Sequence, residues 1–374
     1  MRSAALVATA VTFVACGDRD RSTSNELVPQ WFIDTTRTLD IPAQAGDGTL
    51  QLANPVGATR FGDGTIAVAD AMASAVRFFD ENGVLRQSVG RDGAGPGEFA
   101  SLSWLGRCGI RSLSVWDRQL SRITQFDDSG RVVWLHQLPV GREGEVPPVL
   151  LSCSRTGTSV AIGQPTPQEA DGRFARFRGP IMVGTTTDQL RGVGASTVVT
   201  EWDTETRQSR PLGVRSFVAA ADDRFFLAMT DSAVVTVHDL AGVLLRTIPV
   251  RGEARPPTPA HVQAAAEALT ARISNLDLRR RIQERATMIP APERLPAFGG
   301  LFVDGSGIVW VQLSIPGDST LVLRGFHPDG APVAELNVPM YITIFEIGED
   351  YVLGHYEAPS GEPHLVLHRF ARAP

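Results

Sequence analysis

Two short phrases recur along this chain, and their spacing restricts it to a small set of architectures. The first is an aromatic or histidine, an acid, and a turn that closes on glycine. It reads Phe79-Asp80-Glu81-Asn82-Gly83, Phe126-Asp127-Asp128-Ser129-Gly130 and His238-Asp239-Leu240-Ala241-Gly242, with His327-Pro328-Asp329-Gly330 as a variant. A strand that runs into an Asn/Asp/Gly turn and out into another strand is a hairpin signature. Gly83 and Gly130 are 47 residues apart, a blade-sized period. The 112 residues from Gly130 to Gly242 leave room for one degenerate copy.

The second phrase is a Gly/Asp turn followed by a short apolar strand. Its copies precede Thr65–Asp70, Leu113–Asp117, Ser159–Gly163, Phe225–Met229, Ile308–Leu313 and Tyr351–Tyr356. Six β-rich units at this spacing predict an all-β fold, a six-bladed β-propeller over residues 31–374. The blades fall at 55–90, 98–140, 147–200, 214–250, 296–339 and 340–374. The last lacks a fourth strand. Residues Thr35 to Pro42 match the fourth-strand phrase Leu245–Pro249, so the N-terminal strand is expected to complete it. Closure of this kind removes an exposed sheet edge.

Residues 256–295 break the repeat with a helical pattern. Thr258 suits an N-cap and Pro259 the first helical position. Val262, Ala266, Leu269, Ile273 and Leu276 recur at helical spacing, and Asp277 could cap a second helix ending before Pro290. The reading is a helical insertion between blades four and five. From Arg251 to Arg294 it holds eight arginines against five acids, with Arg279, Arg280 and Arg281 consecutive.

The chain contains no lysine, so all 35 of its basic side chains are arginine. Hydrophobic residues make up 43% and charged residues 20%, a folding composition and not a disordered one. The net charge of −6 gives no bulk attraction to nucleic acid or to an anionic membrane. At the N-terminus, Arg2 precedes the uncharged apolar run Ala4 to Val14, and Ala15 precedes Cys16. Eleven residues are too few for a permanent span, which needs about 20. Residues 1–16 therefore read as an export signal. The phrase Phe13-Val14-Ala15-Cys16 resembles the lipobox of bacterial lipoproteins, which implies lipid attachment at Cys16 and makes 17–30 a polar tether. The plainer alternative is an ordinary signal peptide in which Cys16 is incidental. A location in the bacterial envelope follows, with the membrane touched only through the anchor.

A family resemblance rests on Gly90-Arg91-Asp92-Gly93-Ala94-Gly95-Pro96-Gly97-Glu98-Phe99, Thr65–Asp70 and Ser74–Gly83. These resemble the inter-blade loop, second strand and third strand of NHL-repeat propellers. The resemblance is good over blades one and two and fades in three and six. It implies a fold and a binding habit, and no reaction. Related propellers include lactonases and lyases that hold a divalent metal over the channel mouth. That would need acids, Asn or His converging from several inner-strand starts.

Here those starts supply Glu98, Arg215, Phe298 and Tyr341, which with Arg279, Arg280 and Arg281 form the expected ligand face. Too few acids stand there for a metal cage, and no catalytic residue, metal site or cofactor is assigned. Asp70 and Asp117 share one repeat position, which favours a local turn role over unique chemistry. His364 and His368 lie on one strand roughly 13 Å apart, too far for one zinc at bonds of about 2 Å. Cys108 and Cys153 fall near the ends of consecutive inner strands. A disulfide between blades two and three is expected, and two buried thiols are the alternative. The function expected is binding or scaffolding of an envelope protein, peptide or glycan by a monomer. A metal-dependent, lactonase-like hydrolase or lyase is the alternative.

Overall fold

The computed structural model describes residues 28–138, 149–163, 165–167, 172–185, 190–250, 255–270, 273 and 276–371. The expected signal segment, Cys16 and nearly all of the tether lie outside the described residues. The chain is all-β, in five curled sheets of propeller-like form.

The described chain enters on β1 (Gln30–Ile41), whose partners come last. Then β2 (Pro55–Arg60), β3 (Ile66–Asp70), β4 (Ala75–Phe79) and β5 (Leu85–Val89) form an antiparallel meander. A second meander is β6 (Leu102–Arg107), β7 (Ser112–Asp117), β8 (Arg122–Asp127) and β9 (Val132–Gln137). The third unit is larger. It contains β10 (Val149–Cys153), β11 (Ser159–Ile162), the short β12 (Thr166–Pro167), the long β13 (Phe174–Gly184) and β14 (Arg191–Asp203), and the short β15 (Gln208–Ser209). It runs nine residues past the expected limit of 200, because the β13–β14 hairpin is about twice the usual strand length.

A four-stranded unit follows, β16 (Ser216–Ala220), β17 (Arg224–Met229), β18 (Val234–Asp239) and β19 (Leu244–Pro249). Two helices come next, α1 (Pro259–Thr270) and α2 (Leu276–Thr287). The final units are β20 (Gly300–Val303), β21 (Val309–Gln312), β22 (Leu321–Phe326) and β23 (Pro332–Val338), then β24 (Thr343–Ile347), β25 (Tyr351–Glu357) and β26 (Pro363–Ala371).

Repeated turn chemistry sets these meanders. In the turn between third and fourth strands, Asp80 accepts the amides of Asn82 and Val84, each at 2.9 Å. Asp127 does the same for Ser129 and Arg131, and Asp239 for Ala241 and Val243. The glycine closing each turn, Gly83, Gly130 or Gly242, has φ of 82°, 77° or 86°, where a side chain would be strained. Asp70 and Asp117 tie together the turn at the far end of the second strand. Asp70 accepts from Ala53 (2.9 Å) and Asn54 (3.0 Å), and Asp117 from Ala100 (2.7 Å) and Leu120 (2.8 Å).

Strand β1 joins two units. It pairs antiparallel with β26, from Phe32 opposite Ala371 to Ile41 opposite Leu365. Its first residues also pair parallel with β23, Gln30 to Phe32 opposite Glu335 to Asn337. The second pairing has no counterpart in the repeat and produces an eight-stranded sheet.

The core lies between neighbouring sheets. Phe78, Phe99 and Phe126 bury the junction of the first two units, and Phe226, Phe298 and Phe326 that of β16–β19 with β20–β23. Trp31, Trp310 and Phe370 pack where β1 joins its two sheets. Among the described residues, the second and third units share a thinner contact, Trp116, Ile123 and Leu138 with Leu190.

The helical pattern is realised as two separate helices. Thr258 precedes α1, and its carbonyl accepts the Val262 amide at 3.2 Å. The helix ends at Thr270, so the expected apolar stripe does not continue through Ile273 to Leu276. Leu276 opens α2 and is 74% exposed. Asp277 stands inside the first turn of α2, where a negative charge suits the helix dipole.

Candidate functional site

The first strands β2, β6, β10, β16, β20 and β24 stand side by side, and β24 packs back against β2. They run in one direction. Gly57 in β2 meets the backbone of Leu105 in β6, where an added Cβ would lie 2.6 Å from the Leu105 nitrogen. At the strand ends Arg107 donates to the Arg60 carbonyl at 2.8 Å, and the Ala220 amide donates to Ser152 Oγ at 3.0 Å. Together they enclose a channel of about 940 Å³.

The end where the first strands finish is crowded with charge. Glu346 accepts the Thr59 and Tyr351 hydroxyls and the Arg60 amide, the last at 3.2 Å. Burial, and then the Glu346 carboxylate, push the Tyr351 phenol far above its ordinary pKa. Arg107 donates to the carbonyls of Arg60, Gly109 and Ile110 and lies 4.7 Å over the Phe61 ring. Burial draws its pKa down, with Arg155 adding repulsion and Glu346 opposing it. Asp304 binds Trp310 Nε1 at 2.9 Å, and Arg155 pairs with Glu349 at 3.3 Å. Each of these groups is already engaged within the chain.

The end where the first strands begin is different. Its lining is mostly apolar and includes Phe217, Leu321, Met340 and Ile342, with Gln312, Thr343 and Arg215 as polar members. Ala268 of α1 and Pro316 also reach the channel here. Gln312 donates to the Ser314 carbonyl at 3.0 Å. The Arg215 backbone is fixed on Thr230, its amide donating to Oγ1 at 3.0 Å and its carbonyl accepting the Thr230 amide at 2.9 Å. Burial alone lowers its guanidinium pKa.

A clasp holds α1 over this end. His261 Nδ1 accepts from the Thr258 amide at 3.0 Å, and Nε2 faces Asp318 at 3.2 Å. Arg255 pairs with the same carboxylate. Burial works against the Asp318 charge, but Arg255, the Ile315 amide and His261 outweigh it and lower the pKa. An added Cβ on Gly317 would lie 2.7 Å from His261 Cα, so only glycine lets the helix sit this close. Leu212, at φ 58°, packs with Ala265, Leu295 and Ile315 beneath the helix. Sequence reasoning missed this clasp, since its members are 63 residues apart and belong to no repeat.

The other expected site residues are dispersed. Glu98 does not line the channel. Its carboxylate binds the Gly95 amide at 2.8 Å and Arg91, which hold its pKa below the usual range. Phe298 is fully buried in the core against Phe217 and presents no surface to a ligand. Tyr341 is 62% exposed and meets Tyr356 edge-on, beside a His364–Asp40 pair at 2.7 Å. Arg279, Arg280 and Arg281 belong to α2, which does not reach the channel. Arg279 binds the Ile273 carbonyl, and the other two face Asp277. The Cys108 and Cys153 sulfurs stand at bonding distance, 1.93 Å, across the thin junction of the second and third units. Among the described residues, no group of three or more His, Cys, Asp or Glu is placed to hold a metal ion.

No family model matches the chain, and no curated protein is similar to it. Solved structures are similar in fold. A DUF4221 family member from Bacteroides vulgatus is 11% identical with a TM-score of 0.51, over 92% of this chain and 99% of that one. A Bacteroides fragilis protein described as exported is 10% identical, TM-score 0.49, over 90% and 95%. Virginiamycin B lyase from Staphylococcus aureus is 10% identical, TM-score 0.40, over 88% and 98%. The first likeness shows a propeller-like fold and nothing about activity.

Proposed function

We propose that the chain is an exported six-bladed propeller, anchored through Cys16, that binds a ligand in its channel at the end covered by α1. Six first strands around one channel support the blade count, with β1 as the fourth strand of the last blade and the helices inserted between blades four and five. The repeat phrases that resemble NHL propellers support the same count. The signal-like segment at 1–16 supports export, and its lipobox-like ending supports the anchor.

One observation carries the binding role. A channel of about 940 Å³, apolar at one end, opens beside a clasped helix. Ligand pockets span about 300–1,000 Å³ and are mostly apolar with a few placed polar groups. The polar groups at the opposite end are consumed in holding the strand ends together. The lactonase-like alternative would be revived by one tightly bound divalent ion per purified chain.

Calorimetric titration with octanamide, a neutral apolar probe, tests the channel. Saturable one-to-one binding is expected. Ala268→Trp, at an exposed position on α1 that reaches the channel, should abolish it. Binding that never saturates, or that ignores the Trp plug, sinks the reading. For the anchor, labelled palmitate should enter the wild-type chain in a bacterial host and not the Cys16→Ser variant.

A further inference from the structure

Among the described residues, Arg215 is the one arginine of the channel lining at its apolar end. Its backbone is clamped to Thr230 from both sides. Its side chain is half-buried and lines the channel. Among the described residues no carboxylate, carbonyl or hydroxyl accepts a hydrogen bond from it. The carboxylates that line the channel, Asp222, Asp223, Asp304 and Glu346, belong to the other end. A cation partly withdrawn from water without a counter-charge is costly. Other arginines of the fold have acceptors: Arg107 and Arg122 donate to carbonyls, and Arg173 and Arg210 pair with carboxylates. The backbone beside Arg215 is also bound to the clasped helix, through Leu212 and its packing on Ala265. The position is therefore fixed on both of its flanks.

We infer that Arg215 receives the carboxylate of a small amphipathic monocarboxylate, whose apolar body lies along Phe217 and Met340. This rests on the channel being the ligand site. A guanidinium presents paired N–H groups that match a carboxylate in a bidentate fork. One guanidinium balances one negative charge. A phosphate dianion would leave a charge uncompensated against apolar walls, so a monoanion fits better. The same head group occurs on a free acyl acid and on the C-terminus of a short apolar peptide.

Four probes separate these cases: octanoate and octanamide, and acetyl-Leu-Leu as its carboxylate and as its amide. Each carboxylate that fits should bind at least tenfold tighter than its amide, and the tighter of the two acids identifies the source. Inorganic phosphate should bind more weakly than octanoate. Arg215→Met should cost the carboxylate advantage, bringing octanoate binding down to the level of octanamide. It should also raise the melting temperature of the ligand-free protein, since an unpaired charge is removed. Wild-type protein gives an independent measurement by 13C NMR of carboxyl-labelled octanoate. On binding, the carboxyl should stay ionised to a lower pH than it does free.

Equal binding of acid and amide overturns the inference and leaves the channel reading intact. Octanoate binding that survives Arg215→Met, phosphate binding tighter than octanoate, or an unshifted carboxyl titration overturns it as well. Absence of binding by all four probes overturns both the inference and the channel reading.

Discussion

The two ends of the channel both carry arginine and use it in opposite ways. Where the first strands finish, arginines, carboxylates and a tyrosine meet one another. Glu346 alone gathers three donors from Thr59, Arg60 and Tyr351. Where the strands begin, Arg215 stands in a lining that is mostly apolar. A density of charge would ordinarily mark the first end as functional. Its satisfied partners say the reverse: these groups fasten one unit to the next. A functional group is better recognised here by what it lacks. Among the described residues, none accepts a hydrogen bond from the Arg215 guanidinium.

The largest expected effect removes the covalent link at the strand-finish end. Cys108→Ser with Cys153→Ser should lower unfolding free energy by about 4 kcal/mol, from the loop-entropy relation for a loop of this size. The link crosses the junction whose described core is thinnest, so the loss should show fully in guanidinium unfolding. An unchanged midpoint would mean that the two units do not depend on it.

Next is Glu346→Ala. Three donors lose their acceptor, and the expected destabilisation is about 2 kcal/mol or more. Arg215→Met should move stability the other way, by about 1 kcal/mol. The opposite signs are the point of contrast between the two ends. If both variants destabilise, the distinction between fastening and receiving groups is wrong.

The smallest effect is a pH dependence in a turn, also at the strand-finish end. Burial opposes the Asp127 charge, but the Ser129 hydroxyl and the Arg131 amide and side chain outweigh it and hold its pKa at about 2, against 3.8 unperturbed. A depressed folded pKa contributes stability above the unfolded value, and that contribution is lost as pH falls through the folded one. Wild type should therefore exceed Asp127→Asn in stability above pH 3.8, with the gap closing toward pH 2. A gap constant with pH would remove the carboxylate from this role.

The repeat was legible because turn residues act locally. Asp80, Asp127 and Asp239 each bind amides two and four residues ahead, so each phrase carries its own structural reason. The closing strand was legible for the same cause, since Thr35–Ile41 copies a fourth-strand phrase. Its parallel pairing with β23 was not, because no repeat of the sequence calls for it. The third unit was misjudged in length, since a long hairpin dilutes the period.

Site residues were harder to read. Arg215 directly precedes β16, but nothing in its sequence neighbours marks how its side chain is partnered. Phe298 shares that neighbourhood and is buried in the core. The run Arg279 to Arg281 looked distinctive because sequence adjacency concentrates charge on paper. On a helix the three side chains point about 100° apart, and none reaches the channel. The clasp of Arg255, His261 and Asp318 depends on folding distance alone.

Strand β1 bears on how the molecule is made. It is synthesised well before its partners, residues 335–337 and 365–371. The eight-stranded sheet cannot be completed until almost the whole chain has been synthesised. A chain that must cross a membrane before it folds gains from this order, because its last stable pairing waits on its last strand. The same strand would then lie about a dozen residues from an anchor at Cys16. Tension on that anchor would reach the seam between two sheets before it reached any other part of the molecule.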